Sequence, residues 1–246
     1  VPDELPKADR SLDVVRGYED WIWPYIPDQL GNELSVIGEK LGSRALALYW
    51  NLYFETHDSD DECVSAAVPG KEGYVFHRRL EWDMGYAPRF EFREIAPGRY
   101  VRHTPRFVGA LSGYTPNWHI AMNGAPDPLS CGVSALTHRQ PLAWILRRAI
   151  AEAKGFDATV DWLLRQKPMR GAFVLIVSKN QACWIDMESE DTTIIHKAEY
   201  PEELVVVDDY KPRAMDNFGW DGCTDAPYKA TETRDWVLDQ YIKPVG

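Results

Sequence analysis

Apolar residues near the amino end recur at helical spacing. Leu12, Val15, Tyr18 and Ile22 make one set, with Ser11 as its cap and Pro24 and Pro27 as its breakers. Asn32 is the expected cap of a second helix carrying Leu34, Ile37 and Leu41. Ser43 caps a third with Leu46, Leu48, Tyr49, Leu52 and Tyr53. The acidic stretch from Thr56 to Glu62 reads as a solvated loop. From Cys63 the period shortens. Strands are predicted over 63–68, 73–82, 89–95, 99–104, 107–113 and 117–122, with Gly and Pro turns between them. A helix follows over 139–154 on Leu142, Ile145, Leu146, Ala149 and Ile150. A shorter one covers 157–166, capped by Asp157. Strands return over 171–178, 182–188, 192–197 and 203–207. A loop over 208–229 and a helix over 231–242 close the chain.

This order of helices, sheet, helices, sheet and helix predicts an α+β protein. Two antiparallel sheets packed face to face with helices outside would satisfy it, as a four-layer αββα sandwich. The natural division is a helical segment, 1–62, and a sheet-rich domain, 63–246. At 246 residues the chain fits one large domain or two small ones. The net charge of −11 argues against nucleic acid and anionic lipid surfaces as partners. No apolar run approaches the ~20 residues of a spanning helix. Cys63, Cys131, Cys183 and Cys223 are widely spaced, which argues against a disulfide framework or a zinc site. No Asn-x-Ser/Thr sequon occurs, which points to an organelle matrix, such as the mitochondrial one, or the cytosol rather than to a lysosomal or secreted home. The start at Val1 reads as a processed product, with any targeting segment already removed.

The candidate chemistry centres on Cys63. It opens a hairpin that turns at Pro69-Gly70-Lys71-Glu72-Gly73 and returns through Arg78-Arg79-Leu80-Glu81-Trp82. That geometry sets a guanidinium and a carboxylate beside one thiol, the setting of a reactive cysteine. The plain alternatives are a small buried strand residue for Cys63 and a cross-strand ion pair for Arg78 and Glu81. The register leaves open whether Arg78 or Arg79 is the relevant guanidinium. His77, His103 and His119 lack ligand spacing and read as ordinary packing residues. Gly109 and Gly113 lack the Lys-Ser/Thr of a phosphate loop. Ten Trp residues read as core or interface anchors, and the segment 208–229 as an interaction loop.

These residues resemble the acid ceramidase family, which includes N-acylethanolamine-hydrolysing acid amidase and, more distantly, the bile salt hydrolases. All are N-terminal-nucleophile (Ntn) hydrolases. Cys63-Val64-Ser65 is similar to the opening of the family's β-subunit. Arg78-x-x-Glu81 is similar to its Arg-x-x-Asp motif, and the stretch from Phe107 to Pro116 resembles its Phe-Ala-Gly…Leu-Thr-Gly-Phe-Lys-Pro. The resemblance implies a precursor that cuts itself before Cys63, whose freed amine then takes the thiol proton. Arg78 would support the thiolate and Glu81 would orient Arg78. It implies no metal and no organic cofactor.

The sequence also departs from the family. Asp208-Asp209-Tyr210 stands where the family has Thr-Asn-Tyr, so Asp209 occupies the position of an oxyanion-holding Asn. The later family Arg has no counterpart near Asp221-Gly222-Cys223-Thr224. Asn123-Gly124 stands for Asn-Glu. The chain runs unbroken through Glu62-Cys63. These departures lead to the expectation of a catalytically silent relative, kept as a structural or accessory subunit of a larger assembly with other proteins as partners. The alternative is an active cysteine amidase hydrolysing a linear amide such as an N-acyl lipid.

Overall fold

The run Ala172–Ser178 shows how the layers form. Alternate residues of an extended strand point to opposite sides. Here Phe173, Leu175 and Val177 enter one apolar cluster, and Val174 and Ile176 enter another. A strand apolar on both faces needs cover on both. Helices supply it on one side and a second sheet on the other. The computed structural model describes residues 20, 23–52, 63–80, 90–103, 107–124, 139–168, 171–187 and 192–207.

Two helices lead. α1 (Asp28–Leu41) and α2 (Arg44–Asn51) form a hairpin that turns at Gly42, whose φ of 68° favours glycine. Ser43 caps α2 by accepting the Leu46 N–H at 3.3 Å, as expected. Asn32 lies inside α1, which starts after Pro27 instead. The Gly31 N–H already donates to the Pro27 carbonyl. Among the described residues, ten strands follow in the order β1 (Cys63–Pro69), β2 (Tyr74–Leu80), β3 (Glu91–Ala96), β4 (Arg99–His103), β5 (Ser112–Tyr114) and β6 (Trp118–Gly124), then β7 (Ala172–Ser178), β8 (Gln181–Met187), β9 (Thr192–Glu199) and β10 (Leu204–Val207). Helices α3 (Leu142–Glu152) and α4 (Phe156–Leu163) lie between β6 and β7. Gly155, with φ 118°, takes the cap position of α4, and Asp157 sits in its first turn.

Strands β3 to β9 form a seven-stranded sheet in sequence order, every pairing antiparallel. Strand β1 sits between β10 and β2 in a separate three-stranded sheet. One face of the large sheet packs on Leu142, Ile145, Leu146, Ala149 and Ile150 of α3 and on Val160 and Leu163 of α4. Its other face meets the small sheet through Ala67, Leu204 and Val206. The helix expected at 231–242 lies outside the described residues, as do the helix expected before Pro24, the acidic loop before Cys63 and the loop over 208–229. No helix among the described residues is long and apolar enough to cross a membrane.

The strand expected over 107–113 shrinks to Ser112–Tyr114. The N–H groups before it bond to helices, and the Leu111 carbonyl continues toward β6 by accepting the Met122 N–H at 3.1 Å. The Ala110 N–H donates to the Ala143 carbonyl at 2.9 Å, and the Val108 N–H to Asn51 Oδ1 at 2.6 Å. The glycines here serve close packing. A Cβ on Gly109 would sit 2.6 Å from that of Ala143, and one on Gly113 would strike Ile150 and the Tyr100 carbonyl. The α1–α2 hairpin docks beside α3 through Leu30, Leu34, Leu48, Val108 and Trp144. Glu33 adds an ion pair to the buried Arg147 and another to Arg93 at 3.2 Å. Burial alone would raise the Glu33 pKa. The two guanidiniums outweigh it and hold the carboxyl below its usual range.

Candidate active site

Cys63 is the first residue of β1 and is 7% exposed. Alternation sets Cys63, Ser65 and Ala67 on the face turned toward the large sheet. Ala67 joins the cluster between the sheets, whereas Val64, Ala66 and Val205 form a separate cluster on the opposite face. On β2 the inward residues are Tyr74, Phe76 and Arg78. Val75, His77 and Arg79 are exposed on the other face. Arg78 is paired with Ser65, and its Nη2 lies 4.0 Å from Cys63 Sγ. The two readings left open by the register therefore separate. Arg78 shares the face of Cys63, and Arg79 does not. Glu81 and Asp209 lie outside the described residues.

A third group stands across the gap. Asn123, near the end of β6, is fully buried. Its Oδ1 accepts the Ser65 hydroxyl at 2.8 Å, and its Nδ2 donates to the Val206 carbonyl at 2.7 Å. One side chain thus ties β6 of the large sheet to β1 and β10 of the small one, two residues along the strand from Cys63. Polar groups in an apolar slab must be satisfied, and this clasp satisfies three at once. Sequence reasoning noted Asn123 only for the acid missing after it. The signal that could have found the clasp was alternation, which puts Ser65 on the face of Cys63.

The small sheet covers only part of the large one. Strand β10 lies over β7 and β8, and β1 lies over β6 and β7. Phe76 of β2 stacks on His119 of β6, with ring centres 5.3 Å apart. Beyond β2 the same face of the large sheet continues over β5, β4 and β3. It carries Tyr114 and Ser112, then Tyr100 and Arg102, then Phe92 and Glu94. His119 stacks on Tyr114 at 5.6 Å and Tyr114 on Tyr100 at 4.9 Å, so one row of rings leads out from under the small sheet. Burial among these rings lowers the His119 pKa and favours the neutral imidazole.

Two features lie apart from this region. Cys183 is buried on the helix-facing side of β8, where burial pushes its pKa up to about 11. A cavity of about 340 Å³, lined by Arg99, Asn117, Trp118 and Lys154 among others, lies at the β5–β6 turn. That is the opposite end of β6 from Asn123.

A helix-backed antiparallel sheet thus faces a second sheet, and a cysteine heads the second sheet's central strand. Among solved structures the chain is similar to the Caenorhabditis elegans ortholog of N-acylethanolamine-hydrolyzing acid amidase. The TM-score is 0.53 and the identity 12%, over 75% of this chain and 79% of that one. At that identity the likeness concerns the fold. No protein-family model matches the sequence, and no curated protein does.

Proposed function

We propose that this chain is a cysteine amidase of the Ntn kind, acting on a linear amide of the N-acyl class. The observation that carries the reading is the approach of Arg78 Nη2 to Cys63 Sγ, at 4.0 Å, on a face enclosed between two sheets. A guanidinium at that range favours the anionic sulfur, which is the nucleophilic form. The likeness to a fold whose solved example is described as hydrolysing N-acylethanolamines supports the substrate class.

In the proposed reaction the Glu62–Cys63 bond is cut first. The freed amine of Cys63, with a reference pKa of ~8, takes the thiol proton. The sulfur attacks the amide carbonyl and the amine leaves with that proton. Water then hydrolyses the thioester and releases the acid. By the resemblance Glu81 would orient Arg78, and Asp209 would take the oxyanion position, where only a protonated carboxyl could donate.

Intact-mass measurement of the native protein tests the first step, and hydrolysis of a fluorogenic N-acyl amide tests the second. Two fragments meeting at Glu62–Cys63, and turnover abolished by Cys63→Ala, are the expected results. An uncut chain that fails to react with an electrophilic amide mimic would remove the enzyme. It would leave the silent accessory subunit that Asp209 and the missing second Arg favour. Such a subunit should run with other chains in a native sizing experiment.

A further inference from the structure

Arg99 opens β4 on the side of the large sheet that the helices cover, the side Val101 shares. The end of α3 meets it there. Arg99 Nη1 donates to the Ile150 carbonyl and, at 2.8 Å, to the Ala153 carbonyl, so a single nitrogen serves the end of the helix. Nε and Nη2 present their N–H bonds along another edge of the guanidinium. Among the described residues that edge has no acceptor. Such a two-pronged edge is how arginine holds an oxyanion.

Arg99 lines the cavity of about 340 Å³ at the β5–β6 turn, and Lys154, Asn117 and Thr115 line it too. Lys154 is exposed and has no ion pair among the described residues. The Thr115 hydroxyl is occupied within the turn, where it accepts the Asn117 and Trp118 N–H groups at 3.2 Å each. The Asn117 side chain has no hydrogen bond among the described residues, so its amide is open to donate. Among the described residues no carboxylate lines the cavity. The nearby acids are turned to other partners. Glu94 accepts the Gly98 N–H at 2.7 Å, and Glu152 pairs with Arg148 at 3.1 Å. Two cations thus face a space that holds no counter-charge. The chain's net charge of −11 gives an anion no long-range attraction, so selection there must be local. Pro116 and Trp118 give the same cavity an apolar wall.

We infer that this cavity binds a small organic phosphate monoester. Arg99 and Lys154 hold the phosphate, Asn117 donates a further hydrogen bond, and Pro116 and Trp118 face the organic part. The volume lies at the small end of pockets that take organic ligands and leaves room beyond the phosphate itself. Trp118 and Asn123 are at opposite ends of β6, about 16 Å apart along the strand. The site is therefore separate from Cys63 and independent of the amidase reading.

Calorimetric titration of the full chain with glycerol 3-phosphate, inorganic phosphate and glycerol, at fixed ionic strength, tests the assignment. Glycerol 3-phosphate should bind and glycerol should give no heat. Inorganic phosphate should bind severalfold more weakly, because it leaves the apolar wall in water. Lys154→Gln should weaken glycerol 3-phosphate about tenfold, and Asn117→Ala about threefold. Both side chains are exposed, so neither variant endangers the fold, whereas Arg99→Gln would also release the end of α3. Cys63→Ala should bind as the wild type does. No binding of glycerol 3-phosphate, or equal affinity in the wild type and Lys154→Gln, would overturn the assignment. Equal affinity for the monoester and inorganic phosphate would also overturn it, by leaving a bare anion site. Loss of binding in Cys63→Ala would do so by moving the phosphate to the other site.

Discussion

A buried sulfur 4.0 Å from a guanidinium differs in chemistry from one buried among hydrocarbon, and this chain holds both. Cys183 sits in an apolar cluster with its pKa pushed up to about 11, so it should stay unreactive at neutral pH. Arg78→Gln should slow alkylation of Cys63 by iodoacetamide at pH 7 about tenfold, whereas Arg79→Gln should leave it near the wild-type rate. Peptide-resolved mass spectrometry reads each cysteine separately. Equal rates in the two variants would sever Arg78 from the sulfur. His119 gives a second residue-scale test. Its folded pKa is depressed by burial among rings, so below pH ~6.5 the unfolded chain takes up the proton more readily. Stability should therefore fall as pH drops through ~6.5 toward the lower folded value. In His119→Phe that part of the slope should vanish in urea titrations at pH 5 and pH 8. An unchanged slope would mean that another group carries it.

Between elements, the decisive contact is one amide. Asn123→Ala would strip the Ser65 hydroxyl and the Val206 carbonyl of a partner inside an apolar slab. Each loss costs ~1–3 kcal/mol, so about 3 kcal/mol in total is expected. Ser65→Ala removes one bond and should cost about 1 kcal/mol. Urea midpoints in the opposite order would show that the sheets are held together elsewhere. Strand β1 was legible because the run from Cys63 to Val68 is apolar apart from Ser65 and ends at a Pro-Gly turn. Strand β7 was legible because Ala172 to Val177 is apolar throughout. The start of α1 was not, because Asn32 has the chemistry of a cap but Pro27 stands earlier. Nor was the short β5, because the Ala110 and Val108 N–H groups go to a helix carbonyl and to Asn51, partners no local pattern names. The ring row escaped for the same reason. Tyr100, Tyr114 and His119 are distant in sequence and meet only once register is set.

At the scale of the whole molecule, the order of layers dictates which parts open last. Strands β6, β7 and β8 lie in the middle of the seven-stranded meander, and β7 is buried on both faces along most of its length. The outer strands differ. Strand β3 is mostly exposed, and β9 is at most half-buried apart from Ala198. Amides on a central strand exchange only when both neighbours and both covering layers separate, whereas an edge strand can peel away alone. Hydrogen exchange at pH 7 should accordingly be slowest over residues 172–177 and 118–123 and faster by orders of magnitude over 91–96 and 192–197. The clasp predicts a coupling as well. Asn123→Ala detaches β1 and β10 from β6, so protection should fall in 64–68 and 204–207 while 172–177 keeps most of its own. If both sheets lost protection together, they would form one cooperative unit held by the apolar contacts of Ala67, Leu175 and Val206, and the polar clasp would serve the site rather than the fold.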